Sequence, residues 1–325
     1  MNRLADALAR LLASGEPRAQ SDLARSLECP PNELASAMAV LEEWGIGFES
    51  ADPARLEQPL ELLSTGQVQA ELGPDSRLQI ESLEVVGAID STNSELRRRG
   101  IPDTAARVLL AEYQTAGRGR RGRSWTAPYG SGLCLSVAWP FRSRDLEHFN
   151  GASLVLGVAV RRALTELGYG GIMLKWPNDL LCDKGKLAGM LVELEADGPW
   201  AVFGVGMNWR VDSDLMAAVD QPWVDLNRLT RGGSDPAVPS RNQLAGRVVH
   251  HVVAALGRFS HEGLTPFLEE WRQADALLGR EVRVELGEGA VLGTAAGVDE
   301  DGTFLVATAD GLSRISGGEV KVRSV

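Results

Sequence analysis

Between residues 117 and 125 the chain reads Gly117-Arg118-Gly119-Arg120-Arg121-Gly122-Arg123-Ser124-Trp125. Two stretches that read as strands frame it, RVLLAEY before and GLCLSVAWP after. Glycines let the backbone turn and approach a ligand closely. Arginines supply forked donors for phosphates and carboxylates. A short basic loop held between strands therefore suits an anionic ligand such as a nucleotide. An RNA-binding tract has similar letters but is usually longer and disordered. The P-loop pattern G-x-x-x-x-G-K-[ST] is absent.

The rest of the chain supplies three kinds of pattern. Residues 1–65 read as short helices: Leu4, Leu8, Leu11 and Leu12 form one apolar stripe. Ser21 is placed to cap a second helix. Pro30-Pro31 opens a third, with Leu34, Met38, Val40 and Leu41 on one side. WGIGFES then begins a strand. That order is the order of a winged helix-turn-helix, and equally of a small helical protein-interaction unit. A polar stretch near 64–80 separates it from a mixed α/β region. There LEVVGAI, RVLLAEY, GLCLSVAWP, GIMLKW, LAGMLVELE and WAVFGVGMN read as strands, with a helix from Asn150 to Gly168 between the third and fourth. Two longer helices follow, ending near Leu277. Ser240 caps the first, whose buried stripe is Leu244, Val248, Val252, Leu256 and Phe259. From Arg280 onward, apolar and polar residues alternate between turns, the signature of a small antiparallel barrel or sandwich.

At 325 residues the chain has room for two or three domains. No apolar run reaches the ~18 residues of a transmembrane helix. Asp6 and Arg10 interrupt the apolar start, unlike a signal peptide. Cys29, Cys134 and Cys182 lie far apart, which fits reduced thiols and a cytoplasmic location. The net charge of −11 argues against broad nonspecific nucleic-acid binding but leaves room for a local basic site.

Three further segments carry chemistry. Lys175-Trp176-Pro177-Asn178-Asp179-Leu180 sets a cation, an amide and a carboxylate at a strand end, although a Pro-Asn-Asp turn alone is commonplace. Gly185-Lys186-Leu187-Ala188-Gly189-Met190-Leu191-Val192-Glu193 brings a lysine into a strand that otherwise reads as buried, where a cation must meet an anion or reach solvent. Gly204-Val205-Gly206-Met207-Asn208 places glycines inside a strand, marking a bulge or a close backbone approach.

In order and spacing these segments resemble the biotin protein ligase family, in particular its larger bacterial members that double as biotin-operon repressors. Asp90-Ser91-Thr92-Asn93, Glu112-Tyr113-Gln114, Gln221-Pro222-Trp223 and the terminal Gly317-Gly318-Glu319-Val320-Lys321-Val322-Arg323 fit as well. The resemblance implies a multidomain α/β architecture. Residues 1–65 would be a winged helix-turn-helix, and 80–277 an α+β ligase domain of class II synthetase type on a mixed sheet. Residues 278–325 would be an SH3-like β-barrel.

The resemblance also implies roles. Ser91, Thr92, Asn93 and Gln114 would seat the ureido ring of biotin. Gly117, Arg118 and the loop beyond would close over biotin and its adenylate. Arg120 and Lys186 would hold carboxylate and α-phosphate, with Arg121 and Arg123 near the phosphates. Trp125 would pack near the adenine, and Asn178 and Asn208 would contact the nucleotide. Gly189, Gly204 and Gly206 would line the biotin tail. Trp223 would belong to a second loop ordered by the adenylate, and Arg323 would reach ATP.

The implied reaction is attack of the biotin carboxylate on the α-phosphorus of ATP, then transfer to a lysine of the biotin carboxyl carrier protein of acetyl-CoA carboxylase. Arg120 and Lys186 would offset the repulsion between two anions. Mg²⁺ would bind mainly through the nucleotide. Asp179 would be the base or orienter for the lysine amine. A homodimer through the central sheet is a further implication.

Two rivals stand beside this. A lipoate-type protein ligase shares the catalytic fold class, but the Gly-Arg loop and the Lys175–Asp179 pairing resemble the biotin branch. A biotin-sensing regulator without ligase activity would have little use for Lys186, Arg120 and Asp179 together. Operator DNA is also implied as a partner, and here charge disagrees. From Ser26 to Ala54 there is no Lys or Arg, while Glu28, Glu33, Glu42, Glu43, Glu49 and Asp52 are acidic. Phosphate contacts supply most nonspecific DNA affinity.

Overall fold

A computed structural model describes residues 3–102, 104–141, 149, 151–182, 185–194, 198–211, 221–229, 239–286 and 289–322. The chain begins with α1 (Arg3–Leu12), α2 (Gln20–Ser26) and α3 (Pro31–Glu43), then an antiparallel pair β1 (Phe48–Ala51) and β2 (Ala54–Leu56). Leu8, Leu12, Leu23, Leu34, Leu41 and Leu56 fill the core of this unit. Leu4, Leu11 and Val40 are half-buried at its margin. Pro30 is the N-cap of α3, as its Pro-Pro start requires. Ser21 does not cap α2: the helix starts one residue earlier, with Ala19 as N-cap, and Asp52 Oδ1 accepts from the Gln20 amide at 3.1 Å.

The polar stretch near 64–80 folds into α4 (Thr65–Ala70) and α5 (Pro74–Leu78). Val68 and Leu72 enter the main hydrophobic core, so two apolar residues in a polar setting suffice to pack it. Next come β3 (Ile80–Ile89), α6 (Thr92–Arg99), β4 (Ala106–Gln114), β5 (Gly132–Pro140), α7 (Ala152–Glu166), β6 (Met173–Lys175), β7 (Asp179–Cys182), β8 (Gly185–Leu194) and β9 (Trp200–Asn208). The seven strands form one sheet in the order β3-β4-β5-β9-β8-β7-β6. Only β3 and β4 run parallel; the other neighbours are antiparallel. The Asn150 start expected for the α7 helix lies outside the described residues. Strand β7 is the element that the turn-like Pro-Asn-Asp pattern conceals.

After the short α8 (Leu226–Leu229), α9 (Arg241–Glu262) and α10 (Thr265–Gln273) complete the helical layer. Ser240 Oγ accepts from the Gln243 amide at 3.0 Å, capping α9, and the Leu244-to-Phe259 stripe is buried. Helix α7 is apolar nearly all round because it lies between the sheet and α9. The core therefore sits on one face of the sheet. The opposite face carries α6 and the Gly-Arg loop. Strands β10 (Glu281–Leu286), β11 (Gly289–Val298), β12 (Phe304–Thr308), β13 (Gly311–Ile315) and β14 (Glu319–Val322) make a second, all-antiparallel sheet in the order β13-β12-β11-β10-β14. Trp176 docks it on the body: its ring stacks on Phe304 at 5.1 Å and its Nε1 donates to Gly302 O at 3.1 Å.

No described helix is long and apolar enough to cross a membrane. All three cysteines are free.

Candidate active site

Strand register builds the floor of a cleft. Cys134 of β5 is opposite Gly206 of β9, which is opposite Gly189 of β8. The next outward row is Ser136, Gly204 and Leu191, and the one after it Ala138, Val202 and Glu193. Alternation keeps these rows on one face. Missing side chains in the first two rows open a slot over the backbone. Two groups lie directly on the glycines. A Cβ at Gly206 would fall 2.5 Å from the Trp125 ring, and one at Gly204 would fall on the Asn93 side chain.

The slot belongs to a cleft of about 160 Å³. Ser91, Thr92, Asn93 and Gln114 line one end; Arg120, Lys175, Asn178, Asp179 and Lys186 line the other. Arg118, Arg121, Arg123 and Trp125 arch over it from the Gly-Arg loop, and Gly318 to Val320 approach from the second sheet. The loop closes on itself. Trp125 N donates to Gly117 O at 2.9 Å, and Gly119 N to Arg123 O at 2.7 Å. A side chain at Gly117 would strike Trp125 O, so this crossing requires glycine. Arg121 takes a left-handed conformation (φ 57°) beside Gly122 (φ 72°).

Charges converge at the second end. Lys186 Nζ lies 2.8 Å from Asp179 Oδ1, which is how the lysine read in a buried strand finds its anion. Arg120 Nη1 is 3.5 Å from Asn178 Oδ1, while Asn178 Nδ2 donates to Met190 O at 2.6 Å. Burial, then the neighbouring Arg121, pulls the Arg120 guanidinium below its ordinary pKa; Asp179 opposes this. Burial likewise lowers Lys175. A ligand anion would relieve both. Arg123 pairs with Glu319 of the second sheet, which holds that carboxyl below the usual range.

At the first end, Gln114 Oε1 accepts from Thr92 N at 2.8 Å. Asn93 lines the cleft, yet both ends of its amide are engaged, by Ser136 and by Glu193. Gly117, Asn208 and Trp223 do not line the cleft among the described residues. Asn208 is buried, donating to Val224 O at 3.1 Å. Trp223 forms a backbone bridge with Lys186, and Arg228 lies 4.4 Å over its ring. Arg323 lies outside the described residues. Sequence reasoning passed over Lys175, Glu319, Ser136 and Glu193. Lys175, Glu193 and Glu319 stood inside quoted motifs and were recoverable as charges; Ser136, and the face on which Glu193 lies, needed the register.

A glycine-floored slot with amide and hydroxyl groups at one end and cations at the other suits a ligand with a polar head and an anionic tail. Residues 87–212 match the model of the biotin/lipoate A/B protein ligase family, and 277–323 that of the biotin protein ligase C terminal domain. The bifunctional ligase/repressor BirA of Escherichia coli is 33% identical, covering 98% of this chain and 96% of that protein. The biotin--[acetyl-CoA-carboxylase] ligase of Mycobacterium tuberculosis is 33% identical, over 73% of this chain and 88% of its own. The biotin protein ligase from Aquifex aeolicus, solved in complex with biotin and ATP, superposes with TM-score 0.63 at 28% identity, covering 75% of this chain and 100% of that one. This chain belongs to the biotin protein ligase family.

Proposed function

We infer that this chain activates biotin with ATP and transfers the biotinyl group to a lysine of a biotin carboxyl carrier protein. One observation carries the reading: Arg120, Lys175 and Lys186 line one end of a slot floored by Gly189, Gly204 and Gly206. Biotin lies along the glycines with its ureido ring toward Thr92 and Gln114, which puts its carboxylate among the cations. A carboxylate oxygen attacks the α-phosphorus, and pyrophosphate leaves. Arg120 and Lys186 stabilise the charge that develops. The Gly-Arg loop keeps water from the mixed anhydride. The acceptor amine then attacks the acyl carbon, AMP leaves, and Asp179 takes the amine proton.

The cleft carboxylates, Asp179 and Glu319, are both paired with cations. No cluster of three or more candidate metal ligands occurs among the described residues. The described residues thus build no dedicated metal site, and in this reading Mg²⁺ arrives on the ATP phosphates. We read residues 1–65 as a winged helix-turn-helix, 80–277 as the ligase domain, and 278–325 as an SH3-like barrel. Arg323 serves ATP, and a cytoplasmic homodimer through the central sheet completes the assignment.

The test is incubation with biotin, Mg²⁺-ATP and a carrier domain, read by avidin blot, with lipoate as the competing acid. Avidin-positive carrier that needs ATP is expected. Lipoylation without biotinylation would overturn the reading.

A further inference from the structure

Glu193 lies near the end of β8 on the pocket face, its side chain is 13% exposed, and it stands apart from the Arg120, Lys175 and Lys186 end of the slot. It is the meeting point of three donors. Arg118 Nη2 of the Gly-Arg loop lies 2.8 Å from its Oε1, Arg97 Nη1 of α6 lies 3.2 Å from the same oxygen, and Asn93 Nδ2 donates to Oε2 at 2.9 Å.

From Asn93 a chain of hydrogen bonds runs on toward the ureido end of the slot. Ser136 Oγ is 2.5 Å from Asn93 Oδ1 and 2.7 Å from Thr92 Oγ1; Thr92 N and Oγ1 lie 2.8 and 3.1 Å from Gln114 Oε1. Proton counting fixes the direction of this chain. A carboxylate can only accept, so the Asn93 amide must turn Nδ2 toward Glu193 and Oδ1 toward Ser136. Ser136 has a single proton, and Asn93 Oδ1 has none to return, so Ser136 donates there. The shorter Ser136–Thr92 contact, 2.7 Å, then takes the single Thr92 hydroxyl proton in preference to the 3.1 Å contact with Gln114 Oε1. Gln114 Oε1 keeps its bond from Thr92 N. The free lone pairs of Thr92 Oγ1 are left to accept.

Building on the biotin ligase reading, we propose that Glu193 is a positioning residue that fixes Thr92 as an acceptor for a ureido N–H and holds the Arg118 arm of the loop down over the same end of the slot. One carboxylate thereby links loop closure to the donor–acceptor pattern that recognises the ligand. In Glu193→Gln the side-chain amide can face Asn93 Nδ2 with its own donor, Asn93 can reverse, and Thr92 then presents a proton where an N–H must be received.

The experiment compares wild type, Glu193→Gln, Glu193→Asp, Ser136→Ala and the Gln/Ala double variant. Steady-state adenylation should show KM for biotin raised about tenfold or more in Glu193→Gln, with kcat at saturating biotin and KM for ATP much less changed. Glu193→Asp should recover part of the loss. Ser136→Ala should raise the biotin KM by itself, and the double variant should be no worse than the poorer single, because one chain is broken twice. Trypsin should cleave the ligand-free Gly-Arg loop faster in Glu193→Gln than in wild type at equal melting temperature. A wild-type biotin KM and unchanged loop cleavage in Glu193→Gln would overturn the proposal, as would additive losses in the cycle. Should Glu193→Gln not fold, Ser136→Ala decides: an unchanged biotin KM there overturns the chain. Calorimetric titration of wild type with biotin separates the two readings. No binding there defeats the ligase assignment, whereas normal binding with an unaffected variant defeats only the role of Glu193.

Discussion

The Tyr129 hydroxyl donates to Asp6 Oδ1 across 2.6 Å, fastening the first helix to the segment that follows the Gly-Arg loop. Trp44 stacks on the same tyrosine at 5.8 Å and on Tyr113 at 5.2 Å. The N-terminal unit is thus docked on the ligase body through aromatic faces and a buried polar bond. Burial, then the bond to Asp6, pushes the Tyr129 phenol above its ordinary value of 10.0. The fold favours the protonated form, so this stability is complete below about pH 10 and falls as pH rises from there toward the folded pKa. Urea midpoints should drop between about pH 9 and about pH 11 in wild type. Tyr129→Phe should begin about 1 kcal/mol lower and lose less over that window. Equal losses in the two proteins would show that the phenol does not couple to docking.

Glu112 and Arg241 form an ion pair with both side chains fully buried. Arg241 Nε also donates to Gly132 O at 2.8 Å and Nη1 to Glu61 O at 3.2 Å, while Glu112 Oε1 accepts from Leu63 N at 2.6 Å. Glu112→Gln removes the counter-charge and strands a cation, which should cost about 3–5 kcal/mol. A paired replacement by Met at both positions should cost much less. Urea unfolding of the three proteins checks this; a loss below 1 kcal/mol in Glu112→Gln, roughly that of a surface change, would contradict it.

Arg120→Ala should lower kcat/KM for adenylation by about 100- to 1000-fold, the usual loss when one oriented group facing transition-state charge is removed. It should also let biotinyl-adenylate escape, because the cation proposed to hold carboxylate and phosphate is gone. Pyrophosphate exchange and the release rate of labelled adenylate measure the two effects. Normal synthesis and retention would remove Arg120 from the mechanism.

What could be read from the sequence followed from period and punctuation. Strands β5 and β9 fall where GLCLSVAWP and WAVFGVGMN place them, since both are continuous apolar runs. Helix α9 obeys its Ser240 cap and apolar stripe. The mixed sheet, the antiparallel second sheet and the family were likewise legible, because local patterns and motif order carry them. Helix α6 was missed: TNSELRRR is polar outside Leu96, and its stability comes from the Ser91 cap and from Arg98 and Arg99 pairing with Glu95. The packing of α4 and α5 rests on few apolar residues, chiefly Val68 and Leu72, and on polar contacts to α9 such as Ser76 Oγ to His250 Nδ1 at 2.8 Å. In the site, the motifs exposed the cations and glycines. The groups beneath them, Ser136 and Glu193, belong to strands whose neighbours only the register reveals.

Charge and kinship disagree at the N-terminal unit, for four of the relatives are bifunctional ligase/repressors. The solvent face of α3 carries Asn32, Glu33, Ala35, Ser36, Ala39, Glu42 and Glu43, with no cation. Of the three flanking arginines, Arg18, Arg25 and Arg55, two are already paired. Arg25 pairs with Asp22 at 3.2 Å and Arg55 with Glu49 at 3.1 Å. An acidic helix laid in a major groove meets phosphates well inside the ~10 Å screening length at ~0.1 M salt, so each carboxylate costs Coulomb energy. Contacts that do form would release few counterions. Trp44, moreover, commits one side of the unit to Tyr113 and Tyr129. Operator binding should therefore be weak, and the unit should act on the ligase body instead. Removing residues 1–60 uncovers the apolar faces of Ala88, Tyr113 and Tyr129 and should alter ligase kinetics without any DNA present. The decisive measurement is a mobility shift with the promoter of the protein's own biotin operon, at physiological salt, with biotinyl-adenylate. A specific complex at nanomolar protein would defeat the electrostatic argument and assign this chain the repressor activity of its relatives.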